Sequence, residues 1–251
     1  MKKIILNLLM PLSIVVTFAS CNNEDENLAS GESKITLRGT AQQPNTNGAD
    51  ARITVGAFTV THFEVGLQDF DMYYAASADI RAGVDISGIT LRSSANTGLS
   101  TAASQPKTNI LIQQGNHQST VIGEGLSPHG YYQEVTLKLF QNNSAVQDSF
   151  AKGKSLYILG NINGKTVRIW MTAEESLRVE AAGTNGYEIN SDTELVLWFN
   201  LNSLFSNMNL ATALDTNGDG MVDIGPNNVD GNGALHTKIK ANLESSIELV
   251  K

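Results

Sequence analysis

The segment 215–223 carries carboxylate and amide side chains at a regular spacing. Counted from its first residue, these side chains occupy positions 1, 3, 5 and 9, which are Asp215, Asn217, Asp219 and Asp223. Gly220 stands at position 6, where a calcium loop turns sharply, and the backbone carbonyl of Met221 is available at position 7. Calcium takes six to eight hard oxygen ligands, and this spacing directs successive oxygens toward one ion. The segment therefore predicts a calcium site.

The same segment resembles the first half of an EF-hand or dockerin calcium loop. It departs from that pattern at position 12, where Pro226 stands in place of a bidentate carboxylate. Because a proline there prevents a continuing helix, we expect a free-standing loop within an Asp-rich segment, 215–233. Asp230 is the candidate for the missing carboxylate. The alternative is a metal-free polar turn, since Asn and Asp side chains hydrogen-bond their own backbone in such turns.

Recognisable catalytic motifs are absent from the sequence. The four histidines show no i, i+4 spacing of the metalloprotease kind, and no Gly-x-Ser-x-Gly motif occurs. Glu174 and Glu175 are adjacent, and adjacent residues in a strand face opposite sides of the sheet. Paired glycosidase carboxylates usually come from separate elements, so a hydrolase with an unrecognised pair stays an alternative. We expect a protein that is not an enzyme.

Composition excludes further classes of protein and site. The chain has 251 residues, with 17 Lys and Arg against 25 Asp and Glu, which leaves a net charge of −8. A negative chain without a basic cluster argues against nucleic acid, because that affinity comes mostly from neutralised phosphates. The single cysteine excludes an intramolecular disulfide and a Cys-based zinc site.

The N-terminus has the features of an export signal over residues 1–20. Lys2 and Lys3 precede an apolar stretch, 4–18, that is too short to be a membrane span. The sequence Phe18-Ala19-Ser20-Cys21 resembles a bacterial lipobox, with Phe where Leu is commonest, and this resemblance implies lipidation of Cys21. Residues 21–33 are acidic and are expected to form a flexible tether. The run Asn22-Asn23-Glu24-Asp25-Glu26-Asn27 also resembles the acidic export signal of Bacteroidota surface lipoproteins, which implies a lipid anchor in the outer membrane and display at the cell surface.

From residue 34 onward, apolar and polar residues alternate with a period of two. Segments such as 34–38 and 134–140 show the pattern of half-buried strands. A phase slip at His62-Phe63 indicates a bulge or bend, and Asn163-Gly164 predicts a two-residue hairpin turn. Several short strands without βαβ alternation predict a single antiparallel β-sandwich, or an open barrel, over 34–251. A parallel sheet is not expected.

Helical signals are confined to the C-terminal region. A short helix is predicted over 204–208, after a cap at Asn202-Ser203. Leucine and isoleucine recur every four residues over 234–250, which predicts a second helix. Its last four residues could equally form a closing strand.

The layout of the mature chain is similar to that of poorly characterised Bacteroidota lipoproteins. This implies a lipid-anchored extracytoplasmic binding or accessory module, with an unknown glycan or protein ligand. A second hypothesis is a fimbrillin-like structural or adhesin subunit, for which Arg38 in the first strand is a possible processing point. Six aromatic residues are candidates for a sugar-stacking platform, although most are expected in the core: Tyr73, Tyr74, Tyr131, Tyr132, Trp170 and Trp198.

Overall fold

The computed structural model describes residues 32–42, 54–75, 97–98, 107–142, 151–183 and 186–251. The predicted signal segment, Cys21 and the predicted tether as far as residue 31 lie outside the described residues. Within them the chain is mainly β, which confirms the predicted fold class. The first strand begins at Glu32, two residues before the predicted start of the domain.

In the described part of the chain, the smaller sheet has four strands in the order β15-β13-β1-β7. Its strands are β1 (Glu32–Thr40), β7 (Ser119–Pro128), β13 (Thr193–Phe199) and β15 (Ile247–Val250). Strand β1 lies inside this sheet, antiparallel to β7 and parallel to β13. Its residues alternate between buried and less buried positions, as the sequence pattern predicted.

Within the described residues the larger sheet has eleven strands, of which six follow the order β11-β8-β3-β9-β10-β14 and five lie off that path. The path strands are β3 (Phe58–Ala75), β8 (Gly130–Leu139), β9 (Leu156–Ile162), β10 (Lys165–Met171), β11 (Ser176–Glu180) and β14 (Met221–Ile224). The others are β2 (Thr54–Val55), β4 (Thr97–Gly98), β5 (Lys107–Gln113), β6 (Asn116–His117) and β12 (Tyr187–Ile189). Strand β14 is parallel to β10. The expectation of purely antiparallel sheets is therefore wrong at two pairs, because long connections bring β13 and β14 beside strands of the same direction.

The two sheets share one hydrophobic core. Phe63 of the large sheet meets Phe199 of the small sheet edge to face, with ring centroids 5.8 Å apart. Phe58 makes a similar contact with Phe205 at 5.5 Å. Burying each such side chain contributes about 1.5–3 kcal/mol, so the alternating apolar positions hold the sheets together.

Two local predictions are confirmed in the large sheet. The pairing of β3 with β9 shifts register between Val60 and His62, and its pairing with β5 shifts between Phe63 and Glu64. Asn163 and Gly164 have φ of 50° and 86° and join β9 to β10, with Ile162 paired to Lys165. Positive φ at both positions is what a type I′ hairpin turn requires.

The C-terminal region differs in part from the predicted helices. Helix α1 (Leu201–Leu204) begins earlier than predicted, because the Asn200 side chain caps it by accepting a hydrogen bond from the Ser203 N–H at 3.2 Å. Helix α2 (Gly233–Asn242) is followed by a 3₁₀ turn and then by β15, so the last four predicted helical residues form the closing strand. In the described part of the chain, no helix is both long and apolar enough to cross a membrane.

Candidate functional site

The Asp-rich loop connects a 3₁₀ turn (Leu210–Thr212) to strand β14 and so lies at the edge of the large sheet. Asp215, Asn217 and Asp219 precede β14, whereas Met221 and Asp223 belong to it. The parallel pairing of β14 with β10 sets Asp223 opposite Arg168 and Met221 opposite Thr166. The sheet therefore fixes one half of the predicted loop, and the other half is a turn.

Three side chains of the loop accept hydrogen bonds from backbone N–H groups two or three residues further on. Asp215 Oδ1 accepts from Gly218 at 3.0 Å, Asn217 Oδ1 accepts from Asp219 at 2.9 Å, and Asp219 Oδ1 accepts from Met221 at 2.8 Å. Gly218 and Gly220 adopt positive φ, of 72° and 84°. The glycine at position 6 thus makes the sharp turn that the sequence predicted. These bonds are those of the alternative polar turn, and they leave further oxygen lone pairs on each side chain.

Asp223 has a strong partner on the neighbouring strand. Its two carboxylate oxygens each accept a hydrogen bond from Arg168, at 2.6 Å from Nε and 2.6 Å from Nη2. Both side chains are largely buried. The hydrogen bond to Asp223 raises the pKa of Arg168 above its ordinary value, and burial opposes this rise. A bidentate Arg–carboxylate pair is among the strongest charge-assisted contacts in proteins, so it fixes Asp223 toward the sheet.

Asp230 lies beside the same strand and is itself buried. Its Oδ2 accepts a hydrogen bond from the Asp223 N–H at 3.0 Å. It follows Asn227 and Asn228, and all three residues adopt left-handed φ, between 51° and 62°. Asp230 therefore lies beside the Asp-rich loop, and one of its carboxylate oxygens supports the backbone of β14.

Asn232 joins the two ends of the loop, a role that the sequence pattern does not predict. Its Nδ2 donates to the carbonyls of Leu214 and Asp223, at 2.8 and 2.9 Å, and its Oδ1 accepts from the Leu214 N–H at 2.9 Å. The side chain is buried. It takes the place of a backbone partner for both ends of the loop, so it holds them at a fixed separation.

Lys165 contributes a positive charge to the loop from strand β10. Its Nζ lies 3.8 Å from Asp215 Oδ2, and the side chain is 60% exposed. Neither Lys165 nor Arg168 has a local sequence signal that connects it to the loop, because both lie about fifty residues earlier in the chain.

Within residues 215–223, the oxygen atoms available to bind a metal ion are those that do not pair with Arg168. They are the side chains of Asp215, Asn217 and Asp219 and the backbone carbonyl of Met221. No group of three or more His, Cys, Asp or Glu side chains is arranged to hold a metal among the described residues. The Asn217 amide and the Met221 carbonyl are additional oxygen ligands of the kind that calcium takes.

The proposed sugar-stacking aromatics do not gather on one surface within the described residues. Tyr132 is fully buried and donates its hydroxyl to the Pro128 carbonyl at 2.7 Å. Tyr131 is exposed on β8, Trp170 packs against the backbone of Gly225, and Trp198 belongs to the other sheet. Tyr73 lies on β3, and the side chain of Tyr74 lies outside the described part.

The adjacent carboxylates Glu174 and Glu175 have separate partners. Glu174 Oε1 accepts from the Gln141 N–H at 3.4 Å, whereas Glu175 Oε2 lies 3.1 Å from Lys240 Nζ. A third carboxylate, Glu64, is buried and lies 3.0 Å from Nε2 of His62. Nothing in the described residues points positively to catalysis. Comparison of the chain with family models, with curated proteins and with solved structures finds no match.

Proposed function

We propose that this chain is a lipid-anchored extracytoplasmic binding or accessory module, held in the outer membrane through Cys21 and displayed at the cell surface. The observation that supports it best is the short distance along the chain between Cys21 and the folded domain. Ten residues, 22–31, separate Cys21 from the first strand at Glu32. Such a segment reaches at most about 35 Å, which holds the domain near the membrane while leaving its loops accessible.

Lipidation is tested by replacing the acylated residue. Cys21→Ala should release the full-length chain from the membrane fraction and abolish incorporation of labelled palmitate. Ser20→Ala, which keeps a small residue before the cysteine, is the matched control and should remain anchored. Retention and labelling of the Cys21→Ala chain would refute the anchor.

Calcium binding by the Asp-rich loop is the second part of the proposal. The ligands are the side chains of Asp215, Asn217 and Asp219 and the carbonyl of Met221, with water completing the shell. Asp223 and Asp230 then form the frame that holds the loop, through Arg168 and the β14 backbone. A calcium ion would offset the repulsion between Asp215 and Asp219, so it stabilises the fold.

The calcium proposal is tested by thermal unfolding of the full-length chain. An ion at about a hundredfold above its Kd adds about 2.7 kcal/mol. For a chain of this size that raises the Tm by about 5–11 °C. Asp219→Ala should gain no stability from calcium, whereas Glu188→Gln, outside the loop, should respond to calcium like the wild type. Identical melting curves in calcium and in EGTA would refute the site.

A fimbrillin-like structural subunit is the second candidate function. It is favoured by the position of β1, which lies between β13 and β7 and buries Ile35 and Leu37. Loss of this strand would leave a slot that a strand from another subunit could fill. Digestion with an arginine-specific protease should then cut after Arg38 and produce oligomers. A digested chain that stays monomeric would count against this candidate.

A further inference from the structure

A groove runs between the edge of the large sheet and the C-terminal end of the small one. One wall is strand β11, and the other is the segment from Glu244 to Glu248. The walls meet at a parallel bridge between Ala181 and Leu249, where the Ala182 N–H donates to the Leu249 carbonyl at 3.0 Å. A cavity of about 460 Å³ lies in the groove, and a second of about 300 Å³ continues along β11.

Apart from the bridge between Ala181 and Leu249, the backbone of β11 that faces the groove has no strand partner among the described residues. On the other side of β11, the Ala181 N–H donates to a carbonyl of β8, and the Glu175 carbonyl accepts from an N–H of β8. The backbone N–H and C=O groups of the odd-numbered residues therefore point toward β8, and those of the even-numbered residues point away from it. The Arg178 N–H accordingly points into the groove. There it donates to a side chain, Glu244 Oε2, over a long 3.4 Å. A carboxylate thus stands where the carbonyl of a neighbouring strand would lie.

Acidic side chains outnumber basic ones around the groove. The lining includes Glu134, Glu180, Glu244 and Glu248, and Arg178 is the single basic side chain among them. Arg178 is already paired, with its Nε 2.7 Å from Glu134 and its Nη2 3.4 Å from Glu180. Four carboxylates against one guanidinium leave a net charge of −3 in the groove. An exposed strand edge with this charge is complementary to an extended peptide that carries lysine or arginine.

We propose that this groove binds a basic segment of a partner protein, which adds to β11 as a short extra strand and displaces the Glu244 carboxylate from the Arg178 N–H. The proposal rests on the binding role proposed above and names the class of partner. Backbone hydrogen bonds to Arg178 position the segment, and Glu244 and Glu248 select for its positive charge. It depends neither on the lipid anchor nor on the calcium loop.

The test is binding of an oligolysine peptide to the full-length chain, purified in a neutral detergent and measured by fluorescence anisotropy at low salt. The double variant Glu244→Gln/Glu248→Gln should weaken binding about fivefold, as two exposed charge pairs imply. The control variant Glu32→Gln/Glu188→Gln makes the same change in net charge outside the groove and should bind like the wild type. An N-methylated oligolysine, which cannot donate backbone hydrogen bonds, should also bind more weakly.

Three results would overturn the proposal. Equal weakening in both double variants would mean that the peptide senses only the net charge of the protein. Equal affinity for spermine and for oligolysine would mean that the groove recognises cations without strand addition. No detectable binding would exclude a basic segment as the partner, and this outcome is independent of the lipidation and calcium tests.

Discussion

Replacement of Asn232 by alanine should destabilise the fold through the loss of three hydrogen bonds to the ends of the Asp-rich loop. The bond to the Asp223 carbonyl is buried, and the two bonds to Leu214 are partly buried. An unsatisfied buried backbone group costs about 1–3 kcal/mol, and a bond that water can replace costs about 0.5–1 kcal/mol. The sum is about 3 kcal/mol, so the Tm should fall by about 6–12 °C.

The assay is thermal unfolding of the full-length chain, followed by circular dichroism in EGTA so that calcium does not contribute. Asn190→Ala is the matched control, because Asn190 is exposed and its side chain makes one long bond, at 3.4 Å, to Glu188. The control should melt within about 1 °C of the wild type. If Asn232→Ala also melts within about 1 °C of the wild type, the loop ends do not depend on this side chain and the reasoning is refuted.

Two further predictions concern the hairpin turn and two half-buried histidines, His117 and His236. Gly164→Val should lower stability by about 1–2 kcal/mol, because valine is strained at positive φ although a Cβ at this position would meet no atom within 4 Å. Gly164→Asn should cost less, and equal melting of the two variants would contradict the turn strain. Burial lowers the pKa of His117 and of His236 below the ordinary value of 6.5, and Lys240 adds to the effect at His236. Both histidines therefore bind a proton more readily in the unfolded chain than in the folded one. Stability present above pH 6.5 should therefore be lost as the pH falls below it, and a Tm that is equal at about pH 7.5 and about pH 5.5 would contradict this.

Local sequence determined those features whose physical cause lies within a few residues. Asn163-Gly164 specified a hairpin turn because few other residue pairs tolerate positive φ at both positions. The phase slip at His62-Phe63 specified a bulge, since a strand with period two cannot change faces without an extra residue. The spacing of Asp215, Asn217 and Asp219 predicted a calcium loop, with a polar turn as the alternative, and the structure contains the side-chain hydrogen bonds of such a turn.

The sequence was less informative where two structures compete for the same residues. The start of α1 was misplaced because both Asn200 and Asn202 can cap a helix, and the burial of Leu201 and Leu204 selects the earlier start. Likewise, the recurrence of leucine and isoleucine every four residues over 234–250 is compatible with one continuous helix and also with a helix followed by a strand. Pairing of β15 with β13 decides in favour of the strand for the last residues.

Tertiary structure alone decided which side chains meet at the candidate sites. Arg168 holds Asp223 from 55 residues away, and Asn232 joins Leu214 to Asp223 at the two ends of the loop. The alternating pattern shows which face of a strand is buried, but it does not show which strand lies beside it, because that depends on packing between distant segments. For the same reason the parallel neighbours of β1 and β10 and the groove beside β11 appear only once both sheets are assembled.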